Sequence, residues 1–301
     1  VISTYRISSY KPKLTFSRIP QQWHFSKWLI PRSILGYFRN HLDGLLVSTA
    51  YSKAELGAYN NMKYFSSIPM LQFLSPLMEP LHVELGKVGD QNKELEYKSK
   101  TIFIIIGILA SIIISFLYVN SDSIVRIILG NQWSPYSEIF GYFAFLTVPF
   151  VFISHSFRIL MIIKKTKIIF LYELLSTTII AGVLAFSLNL TIERFLIVKV
   201  AVESVLATTL YFYVFKNTFS SNPIPSMITF FGLTTIGILA LDWVSKLIPE
   251  NYHPVFFVLL SGVAAVFLIT AYFIVFLKFF ATERQRNLLK SLANPLLHFI
   301  N

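Results

Sequence analysis

Residues 28–52 read WLIPRSILGYFRNHLDGLLVSTAYS, a stretch of the length that crosses a membrane as one helix. About 20 helical residues span the roughly 30 Å hydrocarbon core of a bilayer. The stretch nevertheless carries the strongly polar side chains of Arg32, Arg39, Asn40, His41 and Asp43. Insertion of one Arg or Asp at mid-depth costs about 2.5–3.5 kcal/mol. Arg32, Arg39 and Asp43 recur at helical spacing, with Asn40 on their flank, so this polar stripe must face protein or water.

The composition indicates an all-α polytopic membrane protein. Of 301 residues, 54% are hydrophobic and only 14% are charged, with a mean hydropathy of +0.62. A soluble domain has about 25% charged residues. The net charge of +11 lies in short loops rather than on one compact face, which argues against nucleic-acid binding. The chain has no cysteine and no zinc-type histidine spacing, so we expect no cofactor and no metal.

The hydropathy pattern predicts about eight transmembrane helices. They cover residues 28–50, 56–79, 101–119, 136–163, 167–188, 195–215, 226–247 and 254–280. We divide the chain into a basic cytoplasmic loop (1–27), a six-helix lobe (28–216), two additional helices (217–280) and an amphipathic cytoplasmic tail (281–301). The chain begins with Val rather than Met, so we expect it to be a fragment that lacks its natural N-terminus.

The loop charges orient these helices. With eight spans, one side of the membrane holds seventeen Lys and Arg residues and the other holds four. Because Lys and Arg accumulate in cytoplasmic loops, both ends of the chain are predicted to be cytoplasmic. No outer loop is long, and neither a catalytic triad nor a phosphate-binding glycine loop is present. We therefore do not expect an enzyme.

Several intramembrane charges are expected to pair. Lys199 and Glu203 are four residues apart on one predicted helix, which favours a structural ion pair. Lys63 is expected to meet Asp43 across the first helical hairpin. Glu173 follows Lys164, Lys165 and Lys167 and is expected to pair with one of them. Asn60 and Lys63 share a polar face of the second span, whose three prolines (Pro69, Pro76 and Pro80) predict a bend.

The remaining cations suggest a substrate site. Arg32, Arg39 and Lys63 form a positive face that Asp43 alone does not balance. Guanidinium groups match the oxygens of phosphate and diphosphate, so an anionic substrate is favoured over a purely structural network. Asn40 and Asn60 are candidates on the same face. Asp43 is expected to orient Arg39 or to serve in coupling. Arg158 either reaches the headgroups or contributes to binding, and His41 is expected to be a packed core residue.

Four short segments resemble the Wzx-type polysaccharide flippases of the multidrug/oligosaccharidyl-lipid/polysaccharide exporter superfamily. They are residues 10–17 (YKPKLTFS), 40–46 (NHLDGLL), 56–60 (LGAYN) and 129–133 (LGNQW). Their order and spacing carry the resemblance across residues 10–165. The later helices match by hydropathy alone.

The resemblance implies a fourteen-helix fold, of which this chain is the second six-helix lobe and the two extra helices. It implies transport of an undecaprenyl-diphosphate-linked oligosaccharide across the bacterial inner membrane by alternating access. Proton or sodium coupling and glycan-assembly proteins as partners are compatible with it. Three alternatives stay open at this point: a drug exporter of the same superfamily, a membrane glycan polymerase or ligase, and a non-functional remnant.

Overall fold

The computed structural model describes residue 23, residues 27–89, 92–248 and 253–280, and residue 283. Within these ranges the chain is helical and contains no strand, which confirms the all-α polytopic class. The predicted loop 1–27 and tail 281–301 lie outside the described residues except for residues 23, 27 and 283. The division into a lobe and two additional helices stays a prediction.

Eleven α-helices follow one another in the described ranges, and short 3₁₀ or π turns join some of them. They are α1 (Leu29–Ala50), α2 (Lys53–Pro69), α3 (Ser75–Gly86), α4 (Asn92–Val119), α5 (Ser121–Leu129), α6 (Ser137–Ala144), α7 (Thr147–Ile162), α8 (Thr166–Phe186), α9 (Ile192–Phe219), α10 (Ile224–Lys246) and α11 (Pro254–Val275).

Six helical segments are long and apolar enough to cross a membrane. They are Lys93–Val119, Asn131–Ile162, Thr166–Phe186, Ile192–Phe219, Ile224–Lys246 and Pro254–Lys278. These segments correspond to the last six predicted spans. The first two predicted spans also form helices, as α1 and as α2 with α3, but they are not among these six segments.

A capping box separates α1 from α2. The Ser52 hydroxyl accepts a hydrogen bond from the Glu55 amide at 3.2 Å, and the Glu55 carboxylate accepts one from the Ser52 amide at 2.9 Å. These reciprocal bonds satisfy amides that a helix start leaves unpaired. They also lower the pKa of Glu55 below its usual value, because they favour the ionised carboxylate. The turn therefore starts a new helix directly after α1 ends.

The predicted bend in the second span is present as a break. A π turn, Met70–Leu74, separates α2 from α3 and is flanked by Pro69 and Pro76. Proline has no amide hydrogen and its ring clashes with the preceding helical turn, so it interrupts the regular hydrogen-bond pattern. Consequently α2 and α3 are two separate segments of one span.

Helix α4 lies at the centre of the packing. It contacts α10 along its length and also packs against α6, α7 and α11. The approach to α10 is close, because a Cβ atom placed on Gly237 would lie 2.5 Å from the hydroxyl oxygen of Ser115. One apolar cluster includes Phe103, Phe152 and Tyr211 and joins α4, α7 and α9. A second cluster surrounds Tyr59 and Phe195 nearer the end of α1.

Helices α1 and α8 run side by side in the same direction. At their first turns the rings of Trp28 and Phe170 are 5.3 Å apart. Just beyond the ends of the two helices the Tyr51 hydroxyl donates to the Leu190 carbonyl at 2.9 Å. This pairing brings the polar stripe of α1 against polar residues of α8 and of its neighbour α9.

Candidate functional site

Six charged side chains from four helices meet beside α1, and we call them the charge network. Arg39 and Asp43 come from α1, Lys63 from α2, Glu173 from α8, and Lys199 and Glu203 from α9. All except Lys63 are buried. A buried charge is tolerated when an opposite charge and hydrogen bonds replace its water.

Arg39 is held between two carboxylates. Its Nη1 lies 3.6 Å from Oε1 of Glu173, and its Nη2 lies 3.5 Å from Oε2 of Glu203. Only 9% of the Arg39 side chain is exposed. The Glu173 carboxylate also lies next to Gly36, 3.4 Å from the position that a Cβ atom would take there. The space that Gly36 leaves on α1 is therefore filled by Glu173.

Asp43 is the centre of the other half of the network. Lys63 Nζ lies 2.7 Å from its Oδ2, and Lys199 Nζ lies 3.6 Å from the same atom. The Tyr59 hydroxyl donates to Asp43 at 2.8 Å. Lys199 also forms an ion pair with Glu203, which links the two halves. The predicted pairs Lys63–Asp43 and Lys199–Glu203 are thus both present.

Two sequence-based expectations about these charges are wrong. Glu173 was expected to pair with Lys164, Lys165 or Lys167, but it pairs with Arg39, because the packing of α8 on α1 turns it toward the stripe. The expected excess of positive charge on Arg39 and Lys63 is also absent. Three cations and three carboxylates make up the charge network, so it is neutral when all six groups are ionised.

Arg32 lies outside the charge network. Its guanidinium carbon sits 4.9 Å from the ring centroid of Phe157, and its Nε is buried without a hydrogen-bond partner among the described residues. Arg32 also forms no ion pair within that part of the chain. At the same end, Lys27 and Lys167 place their ammonium groups 5.6 and 5.9 Å from the Trp28 ring. Positive charge therefore collects at the first turns of α1 and α8.

Asn40 and Asn60 lie on an exposed face of α1 and α2 that also carries aromatic side chains. We call it the polar face and define it by Tyr37, Asn40, His41, Asn60 and Tyr64, which are all exposed. The expectation that His41 is a packed core residue is wrong, because its ring is exposed and lies 4.5 Å from that of Tyr37. Helical spacing places positions 37, 40 and 41 on one side of α1, and positions 60 and 64 on one side of α2.

Arg158 belongs to a different part of the molecule. Its Nη2 lies 2.8 Å from Oε2 of Glu79 on α3, with both groups partly exposed. The structure therefore brings together Arg39, Lys63, Asp43, Glu173, Lys199 and Glu203, places Asn40 and Asn60 on the neighbouring polar face, and leaves Arg32 and Arg158 apart. Tyr59, which bonds to Asp43, was missed because a buried tyrosine looks like an ordinary core residue in the sequence.

Comparison with known proteins shows a similarity over the first part of the chain. Residues 1–138 match the family model described as "Polysaccharide biosynthesis protein", a family of Wzx-type membrane transporters. These residues are similar to this family. The resemblance inferred from short sequence segments is thereby confirmed. No curated protein and no solved structure matches the chain.

The family match supports a role for this membrane protein in polysaccharide synthesis and export. It extends from the chain start through α5 into the first turn of α6. The matched segment therefore contains Arg32, Arg39 and Asp43, the polar face and Lys63. The partners Glu173, Lys199 and Glu203 come from helices beyond the match, so the charge network joins the matched segment to α8 and α9.

Proposed function

We propose that the protein of which this chain is a part moves an undecaprenyl-diphosphate-linked oligosaccharide from the inner to the outer leaflet of the bacterial inner membrane. The transported molecule would serve surface polysaccharide biosynthesis. In this proposal the protein is a transporter rather than an enzyme, and both ends of the chain are cytoplasmic. The family match supports the general role, and the polar face carries the specific proposal.

The polar face differs from the exposed surface of the long apolar helices. Elsewhere the exposed surface of the long helices is strongly apolar, with Leu259, Val263 and Phe267 of α11 all more than half exposed. Such a surface suits lipid. Asn40 and Asn60 would lose their hydrogen bonds to water if they faced lipid, so the polar face needs contact with protein, water or a polar ligand. Amides beside aromatic rings suit the hydroxyls and apolar faces of a sugar.

The diphosphate has a separate candidate partner. Arg32 carries a charge that no described carboxylate neutralises, and Lys27 and Lys167 lie near the same end of α1. A guanidinium group binds phosphate oxygens through charge-assisted hydrogen bonds. We therefore assign the diphosphate to Arg32 and the sugar to the polar face. Arg39 and Lys63, which we first considered as phosphate ligands, are proposed to support the site by holding α1 and α2 in place.

A polar-to-apolar substitution tests this assignment. Asn60→Leu in the full-length protein should reduce the amount of surface polysaccharide strongly, at unchanged protein abundance in the membrane. Thr178→Leu is the matched control, because Thr178 is an exposed polar residue on α8 whose hydroxyl bonds only to its own helix. Normal polysaccharide with Asn60→Leu would contradict the assignment of the polar face. Lost resistance to cationic drugs instead would favour a drug exporter.

A further inference from the structure

A second buried polar cluster lies away from the charge network, where α3 packs against α4 and α7. It consists of His82 from α3, Ser99 from α4 and His155 from α7, and all three are at most 3% exposed. The two imidazole ring centroids are 5.7 Å apart. The Ser99 hydroxyl oxygen lies 2.8 Å from Nε2 of His155. We call this group the histidine pair.

Each histidine has one ring nitrogen without a partner. His82 Nε2 and His155 Nδ1 are both buried and make no hydrogen bond with any described residue. A buried polar atom left unbonded costs about 1–3 kcal/mol, so such atoms call for an explanation. Within the described ranges no group of three or more metal-ligating side chains is present. An unpaired nitrogen of a neutral imidazole can bind a proton by itself, whereas a metal ion needs several ligating side chains.

The surroundings disfavour a charged histidine while α3 stays docked. Met78 and Leu85 lie one turn to either side of His82 and are buried in the same apolar cluster. The charged group that acts on His82 is Arg158 of α7, which already binds Glu79 of α3 at 2.8 Å. Ser99 and Phe103 of α4 and Tyr211 of α9 also contact His155.

We propose that His82 and His155 form a proton-binding site that holds α3 docked while both are neutral and releases it when they are protonated. An imidazolium at this position would meet the Arg158 cation and an apolar wall, without a free carboxylate to compensate. Movement of α3 away from α7 would bring the imidazolium into water. The π turn at Met70–Leu74 provides the point at which α3 can move relative to α2.

The acid–base properties of His82 agree with this direction. Burial and the nearby Arg158 guanidinium both disfavour a proton on His82 while α3 is docked. The docked state therefore binds a proton more weakly than a state in which His82 is hydrated. By linkage, a fall in pH favours the state that binds the proton better, which is the undocked state.

This inference rests on the proposed function only for its biological meaning, because a proton-driven movement of α3 would open or close the cytoplasmic end of a transport path. The movement itself is measurable without transport. Spin labels at Val83→Cys on α3 and Lys216→Cys on α9 replace exposed residues of a chain that has no cysteine of its own. Any cysteine elsewhere in the full-length protein would be changed to serine. Double electron–electron resonance in nanodiscs then reports the α3–α9 distance.

The expected result is a second distance population that grows between pH 7.5 and pH 5.0. His82→Gln, which keeps a neutral hydrogen-bonding side chain, should remove most of this response, and His155→Gln should weaken it. His253→Asn is the matched control, because His253 is exposed at the start of α11, and it should respond like the unchanged protein. Labels at Leu171→Cys and Lys216→Cys, on α8 and α9, should show a constant distance if the helices stay folded.

An unchanged α3–α9 distance at pH 5.0 would overturn the proposal, and so would an undiminished response in His82→Gln. If His82→Gln does not fold, His155→Gln decides by the same criterion. A pH response without polysaccharide transport would leave the histidine pair intact as a proton site and count against the proposed function. The two proposals can therefore fail separately.

Discussion

Arg39 of α1 and Glu203 of α9 form an ion pair between two helices, with Nη2 and Oε2 3.5 Å apart. Glu203 also binds Lys199, and Lys199 in turn approaches Asp43 on α1. Opposite charges therefore alternate between the two helices. The most polar of the long helices is accommodated because each of its buried charges meets a partner from another helix.

Loss of Arg39 should destabilise the protein more than loss of an exposed charge. Arg39→Ala would leave Glu173 and Glu203 buried with an excess of negative charge, at a cost of about 3–5 kcal/mol. Adding Glu203→Gln to that variant should recover part of the loss. Thermal unfolding in detergent of the single and double variants measures the coupling. Additive effects would show that the two residues do not interact.

The hydrogen bond from Tyr59 to Asp43 should contribute to stability. Tyr59→Phe removes the donor to a buried carboxylate while it keeps the ring that packs against Phe143. Hydrogen bonds to charged groups are worth about 1.5–3 kcal/mol, so a loss of that size is expected. Tyr64→Phe is the control, because the Tyr64 side chain is exposed. Equal stability of the two variants would show that the bond contributes nothing.

Arg32 should matter for ligand binding rather than for folding. Arg32→Gln removes a charge that is not paired with a described carboxylate, so stability should change little. The affinity of the full-length protein for a lipid diphosphate should fall about tenfold to a hundredfold, the loss of one charge-assisted contact. Tryptophan fluorescence or calorimetric titration in detergent measures this affinity. Arg126→Gln, at an exposed pair with Asp122, should bind normally.

The capping box predicts a defined pH dependence. Ser52→Ala should destabilise the start of α2 by about 1 kcal/mol at neutral pH. Since the folded pKa of Glu55 is lowered, its contribution is present above its unfolded value of 4.5 and is lost as the pH falls through the folded value. The difference in stability between Ser52→Ala and the unchanged protein should therefore become smaller in acid, where the bond from the Ser52 hydroxyl to the ionised Glu55 carboxylate weakens and the bond from the Glu55 amide to the Ser52 hydroxyl stays. A difference that is the same at neutral and low pH would contradict the role of the ionised Glu55.

The sequence predicted the local parts of this structure well. The long apolar segments became helices, and the pairs Lys63–Asp43 and Lys199–Glu203 followed from a hairpin and from helical spacing. The partners of Arg39 were not predicted as such, because no local pattern specifies how α8 and α9 pack against α1. For the same reason the positive face inferred from α1 and α2 became a neutral network once Glu173 and Glu203 were in place.

The exposed side of α1 was not predicted correctly from the sequence. His41 was assigned to the core because it lies opposite the charged stripe, and on an apolar helix the opposite side is often packed. In the structure that side belongs to the polar face, next to Tyr37. Helix α1 has one polar side that is buried against other helices and a second polar side that is exposed. Residue spacing alone does not show which of the two sides is buried, because both carry polar residues.

The break between α2 and α3 divides the attachments of one span. On α2, Lys63 and Tyr59 are anchored to Asp43 of α1, whereas on α3, Glu79 and His82 contact Arg158 and His155 of α7. These side-chain contacts of α2 are thus with α1, and those of α3 are with α7. Motion at the π turn could separate α3 from α7 without disturbing a single member of the charge network. In that motion α2 would keep its contacts with α1, while α3 rotates about the π turn and leaves α7.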